Sequence, residues 1–241
     1  MSVSAWFSFT LKFGFTLKVT RKTNPVPELE LNKESVLFSI LEAAGWPIWP
    51  LLICSIIVTA LIIERLYQLR AELIAPKNLL DEVLRKVDQG AVSNIDLETL
   101  KGGSPMGAIL AATLKAFNQQ PQAKEQELRE EIELEGKMIA HDLERFQAAI
   151  ATIASAAPLL GLFGTVVGMI DIFGSQSGVS NNPAQLAHGI STALYNTAFG
   201  LIIAIPSLIC WRYFRTQIES FVLTLEGSSE KLLKHLVRKR Y

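Results

Sequence analysis

Three stretches of this chain carry almost no charge, and the segments between them keep apolar residues at helical spacing. The longest stretch runs from Phe146 to Gly174 and holds no charged side chain before Asp171. A bilayer core is crossed by about 20 apolar residues. Pro158, Gly161, Gly164 and Gly168 sit inside this run, with Thr152, Ser155 and Thr165 among the apolar residues. Lipid offers no water to backbone groups that proline or glycine set free, so such residues belong where other helices or internal water satisfy them. Gly164 and Gly168 form a small-xxx-small pair that admits a close second helix. The pattern predicts the inner helix of a membrane assembly.

Two further spans obey the same logic. The first covers about 46–67. Trp46-Pro47 and Trp49-Pro50 mark an interfacial start, and Leu51 to Ile63 is apolar apart from Cys54, Ser55 and Thr59. Glu64 and Arg65 close it and are expected to snorkel or pair at the opposite interface, leaving the span as a lipid-facing anchor. The third covers 184–212, with His188, Ser191, Thr192, Asn196, Thr197 and Ser207 as its polar residues and Gly200 and Pro206 inside.

Outside the spans the chain reads as amphipathic helix. Leu79, Leu80, Val83, Leu84 and Val87 make a stripe. Ser93 with Asp96 resembles a capping box, Ser104-Pro105 an N-cap followed by proline at the first helical position, and Pro121 opens the next helix. Leu128, Ile132, Glu135, Ile139, Leu143, Phe146, Ile150 and Ile153 then alternate steps of four and three, with Glu133 and Lys137 as an i,i+4 pair. This predicts one helix from about 122 to 174, roughly 80 Å long at 1.5 Å per residue. Phe214, Ile218, Phe221, Leu225, Leu232 and Leu236 carry a stripe beyond span three, antiparallel to the long helix. The fold class expected is an all-α integral membrane protein with three transmembrane helices, the second and third extended into long cytoplasmic helices. Its segments are an extension at 1–35, a start and first span at 36–67, a cytoplasmic helical domain at 68–145, the second span at 146–174, a periplasmic loop at 175–183, the third span at 184–212 and a cytoplasmic helix at 213–241.

Residues Phe7 to Thr20 alternate apolar and polar, the period of a half-buried strand. A lone strand is marginal, and Asn24-Pro25-Val26-Pro27 then breaks the chain. This extension is expected to be disordered and to precede the natural start, near Val36.

Composition agrees with the spans. Of 241 residues, 49% are hydrophobic and 19% charged, and mean hydropathy is +0.29, which favours a membrane protein. The net charge is zero, so nothing points to nucleic acid. Lysine and arginine set the orientation. Arg65, Arg70, Lys77, Arg85 and Lys86 come after span one, Arg212, Arg215 and the run from Lys231 to Arg240 come after span three, and the 175–183 loop has none. The large loop and C-terminus are therefore cytoplasmic and the N-terminus periplasmic, with Lys12, Lys18, Arg21 and Lys22 of the extension running against the rule. Cys54 and Cys210 fall near opposite membrane faces and read as buried small residues rather than a disulfide. His141, His188 and His235 are too scattered for a metal site. No phosphate-binding loop, metalloprotease spacing or cluster of acid, base and nucleophile appears, so neither a cofactor nor an enzyme is predicted.

The segments APLLGLFGTVVGM at 157–169 and HGISTALYNTAFGLIIAIP at 188–206 resemble the MotA/TolQ/ExbB proton channel family, on its ExbB side. The start AAGWPIWPLL, the span lengths and the large loop fit as well, so the resemblance covers about 36–236. It implies a homopentamer in the inner membrane around the helices of an ExbD-like one-span protein, coupled to outer-membrane uptake through a TonB-like transducer. It implies that Thr165 lines the pore, that Thr197 is the second family threonine, and that Pro158 and Pro206 are the family prolines. Many relatives carry glutamate where this chain has Thr192, so the titrating carboxylate is expected from the partner's membrane aspartate. On residue chemistry alone, Thr165, Thr192, Asn196 and Thr197 are the polar atoms at membrane depth in spans two and three, and such groups face a bundle interior or water. Read without the resemblance, each threonine hydroxyl bonds back to its own helix; the resemblance shifts Thr165 and Thr197 to a functional role and leaves Asn196 a structural one. Asp171, near the outer end of span two, is either a proton-uptake carboxylate with a raised pKa or a side chain that simply reaches water. A TolQ-like subunit and a non-conducting scaffold are the rival readings. A flagellar-stator-like chain would have four spans.

Overall fold

The structure is a computed structural model that describes residues 45–89, 97–120, 122–175 and 183–240. The extension, the proposed cap at Ser93 and Asp96, Pro121 and most of the 175–183 loop lie outside these residues. The described chain is helical, in eight helices: α1 (Ile48–Gln68), α2 (Ala71–Ile74), α3 (Leu79–Asp88), α4 (Leu97–Gly103), α5 (Pro105–Gln119), α6 (Glu125–Glu144), α7 (Gln147–Ser175) and α8 (Pro183–Arg240). Three are long and apolar enough to cross a membrane: α1, the α6–α7 rod and α8.

Local chemistry explains the boundaries. Gly45 takes a left-handed φ of 71° just before Trp46, where an L side chain would be strained. Ser104 caps α5 by accepting a hydrogen bond from Gly107 N–H at 3.0 Å, with Pro105 at the first helical position. Proline does not stop α7 or α8, which run through Pro158 and Pro206.

The long second helix is not continuous as expected. It begins at Glu125, after an extended Lys124, and it is interrupted at Arg145 and Phe146. There Arg145 N–H bonds back only three residues, to Asp142 O at 3.4 Å. The apolar stripe keeps to the packed side across the joint: Leu128, Ile132 and Ile150 are buried, and Ile139, Leu143 and Phe146 between them are half-buried. The joint thus changes the backbone hydrogen bonding and not the buried face, which is why periodicity alone does not reveal it.

The membrane-crossing part and the distal part have separate cores. In the first, α1 runs against α7 and alongside α8, so that Leu51 meets Ala157 and Ala204, and Val58 meets Ile150 and Phe214. In the second, Val83 and Val87 of α3, Ile109, Leu110 and Leu114 of α5, and Leu128 and Ile132 of α6 close on Leu225, Leu232, Leu233 and Leu236 of α8. The tail stripe predicted from Phe214 to Leu236 is the buried face of α8 throughout. Charge pairs fasten the edge of this distal core. His235 Nε2 lies 2.7 Å from Asp88 Oδ1, and Lys239 Nζ donates to Val87 O at 2.7 Å. The hydrogen bonds from His235 and Lys239 hold the Asp88 carboxyl below its usual range. Glu133 pairs with Lys137 at 2.8 Å, as their spacing predicts.

Candidate functional site

Helices α7 and α8 pack closely along a line of several turns, and glycine makes it possible. A Cβ on Gly161 would stand 2.7 Å from Asn196 O and 2.9 Å from Thr197 Cα. One on Gly200 would stand 2.6 Å from Ala157 O, and one on Gly164 would stand 2.7 Å from Asn196 Cβ. Gly168 faces Ala193 Cβ at 3.0 Å. No larger side chain fits along this line without the helices moving apart, the reason small residues occupy such crossings.

The polar residues singled out from sequence distribute around that seam. Asn196 is buried in it, 1% exposed, over Gly164. Thr197 is half-buried with its Cα against Gly161. Thr192 is half-buried one turn from Asn196, and its hydroxyl donates to Gly189 O at 2.8 Å. Thr165 stands at the flank of the seam. Its hydroxyl donates to Leu162 O at 2.6 Å, and it borders an open groove whose other walls are Val166, Met169, Ile170, Phe173 and Gly174. The bonds run three residues back along the helix, so each of these two hydroxyls spends its proton on the backbone and keeps its lone pairs to accept. Thr197 is not among the walls of Thr165's groove, so one chain alone does not bring the two threonines into a single site. Asp171 is exposed, two turns beyond Thr165. Pro158 and Pro206 are half-buried, and Ser207 beside the latter donates to Ile203 O at 2.6 Å.

The apolar surface left over is large. Leu159, Leu162, Phe163, Val166, Ile170 and Phe173 of α7 are all about half exposed or more, as are Ile53, Ile56 and Ile63 of α1. Only 22% of the most apolar window of α1, 22% of that of the α6–α7 rod and 28% of that of α8 are buried. Lipid or further copies must cover the rest.

One functional candidate was not legible as such. Among the described residues Arg65 neither reaches solvent nor pairs with a carboxylate. It is 2% exposed, and its Nη1 donates to Leu143 O at 3.0 Å, at the α6–α7 joint. Its guanidinium lies 4.8 Å from the Phe146 ring centre. The available signal was spacing, because Leu51, Val58 and Arg65 are each seven residues apart and share the buried face of α1.

The chain thus has three helical segments long and apolar enough to cross a membrane, two of them packed closely through glycine, which defines a helical membrane protein. Residues 101–227 match the MotA/TolQ/ExbB proton channel family, and the chain belongs to that family. An ExbB-like biopolymer transport protein of Synechocystis sp. is 31% identical over 192 residues, covering 78% of this chain and 90% of that one. Biopolymer transport protein exbB1 of Vibrio cholerae is 29% identical over 179 residues, 71% and 76% of the two chains. The Tol-Pal system protein TolQ of Haemophilus influenzae is 33% identical over 114 residues, 47% and 43% of the two.

Proposed function

We propose that this chain is the proton-channel subunit of an ExbB–ExbD–TonB-like complex in a bacterial inner membrane. Several copies, five by the family's pattern, surround a one-span partner that supplies a membrane aspartate. The observation that carries the reading is Thr165, the polar side chain of an otherwise apolar groove on the outward face of α7. Its hydroxyl proton is engaged by Leu162 O, so it offers only acceptor lone pairs to whatever enters the groove. A hydroxyl in that state accepts a hydrogen bond from water, hydronium or a protonated carboxyl, and it does not titrate. The carboxylate that binds and releases the proton is therefore the partner's. Thr197 and Thr192 belong to the same pathway from the α8 side once copies close the ring, and Asn196 holds the seam. The long ends of α6 and α8 extend into the cytoplasm, with the basic tail on that side.

The test is proton flux in proteoliposomes holding the purified complex. Thr165→Ala with Thr197→Ala is expected to lower flux while the complex stays assembled. Wild-type flux in that double variant would reject the reading. Copurification separates the two closest roles: a TonB-like partner supports nutrient uptake, and a TolA-like partner assigns the chain to a Tol-Pal system instead.

A further inference from the structure

The joint at Arg145 and Phe146 separates two parts of the long rod with different roots. On one side α6 is anchored in the distal core through Leu128 and Ile132. On the other, α7 enters the membrane core through Ile150 and carries Thr165. Where a helix is interrupted, its last carbonyls lose their intrahelical donors. The Leu143 carbonyl takes its hydrogen bond from Arg65, across from α1. The same guanidinium sits over the Phe146 ring, and the Arg145 guanidinium lies 4.6 Å from the centre of that ring. Cation–π contact and a charge-assisted hydrogen bond both strengthen as water is excluded, and Arg65 is nearly inaccessible. The joint is not fully satisfied, however. Arg65 Nε and both amide atoms of Gln147, the first residue of α7, are buried with no hydrogen-bond partner among the described residues. Buried polar groups are normally paired. These three open atoms mark the joint as a place along the rod where side-chain pairing is incomplete and where the Arg65 contacts carry the hold.

We infer that Arg65 is a positioning residue: it pins the end of α1 to a hinge at Arg145–Phe146 and fixes the direction in which α7 carries Thr165 away from α6. The first span is then not a passive anchor but the fixed point of that hinge. The inference depends on the channel reading only for its flux arm.

Hydrogen exchange on the whole complex in nanodiscs tests it, comparing wild type with Arg65→Lys, Arg65→Met and Phe146→Leu. Arg65→Met is expected to speed exchange across residues 143–150 by about tenfold or more, the size of one lost charge-assisted hydrogen bond. Exchange across 105–119, in the distal core, stays unchanged. Arg65→Lys and Phe146→Leu give smaller rises at the same place, and they carry the test if Arg65→Met does not assemble. Unchanged exchange at 143–150 in every variant, or an equal rise across 105–119, overturns the pin. Local opening with lost proton flux supports both readings. Local opening with wild-type flux leaves the channel reading standing and overturns the claim that the joint sets the placement of Thr165.

Discussion

Gly200→Ala adds one methyl group to the α7–α8 seam, at a point where nothing can give way. The new Cβ would stand 2.6 Å from Ala157 O and 3.2 Å from Gly161 Cα. Both are backbone atoms of α7, so no side-chain rotation relieves the overlap. Restoring an ordinary contact of 3.4 Å moves the helices apart by about 0.8 Å along that line, loosening Gly161 and Gly164 from Asn196 as well. Overpacking of this kind costs about 1–3 kcal/mol. Alanine in a helix interior returns roughly 0.5–1 kcal/mol relative to glycine, which leaves a net loss of up to about 2.5 kcal/mol. Gly227→Ala is the control in the same helix. Its Cβ meets nothing within 4 Å, so only the helical gain remains. Thermal unfolding of the detergent-purified protein, followed by tryptophan fluorescence, reads both. The midpoint is expected to fall by up to about 10 °C for Gly200→Ala and to rise slightly for Gly227→Ala. Shifts of the same sign in the two variants would refute the claim that backbone proximity decides the effect.

Leu114→Ala, at a fully buried position of the distal core, is expected to lose about 2–5 kcal/mol of stability, read by the same unfolding assay. Ser104→Ala removes the acceptor for Gly107 N–H and is expected to lose about 1 kcal/mol, with faster exchange confined to the first turn of α5. Because the folded-state pKa of Asp88 is depressed, its contribution is present above the ordinary carboxylate pKa of about 4 and is lost as pH falls through the folded value. Proteolysis within α3 is therefore expected to increase on acidification in that window, and Asp88→Asn to abolish the pH dependence. Asp171→Asn decides between the two readings of that exposed side chain: as a proton-uptake carboxylate its loss lowers proton flux, and unchanged flux removes it from the pathway.

Much of the architecture is legible in the chain read alone. The uncharged runs set three membrane-crossing helices, because each is long and apolar enough to span the hydrocarbon. The stripe from Phe214 to Leu236 buries the face that its spacing selects. The glycines at 161, 164, 168 and 200 announce a close helix contact, because no other residue type leaves the backbone bare. Tertiary structure alone decided which backbone they meet and where Asn196 and Thr197 lie against them, since spacing within one helix says nothing of the register of its neighbour. It also decided the fate of Arg65. A charged residue at the end of an apolar run reads as an interface marker, yet here the α6–α7 joint frees a carbonyl opposite it and Phe146 offers a ring. The energy of burying a cation depends on partners 78 residues away in the chain, and no local pattern records them.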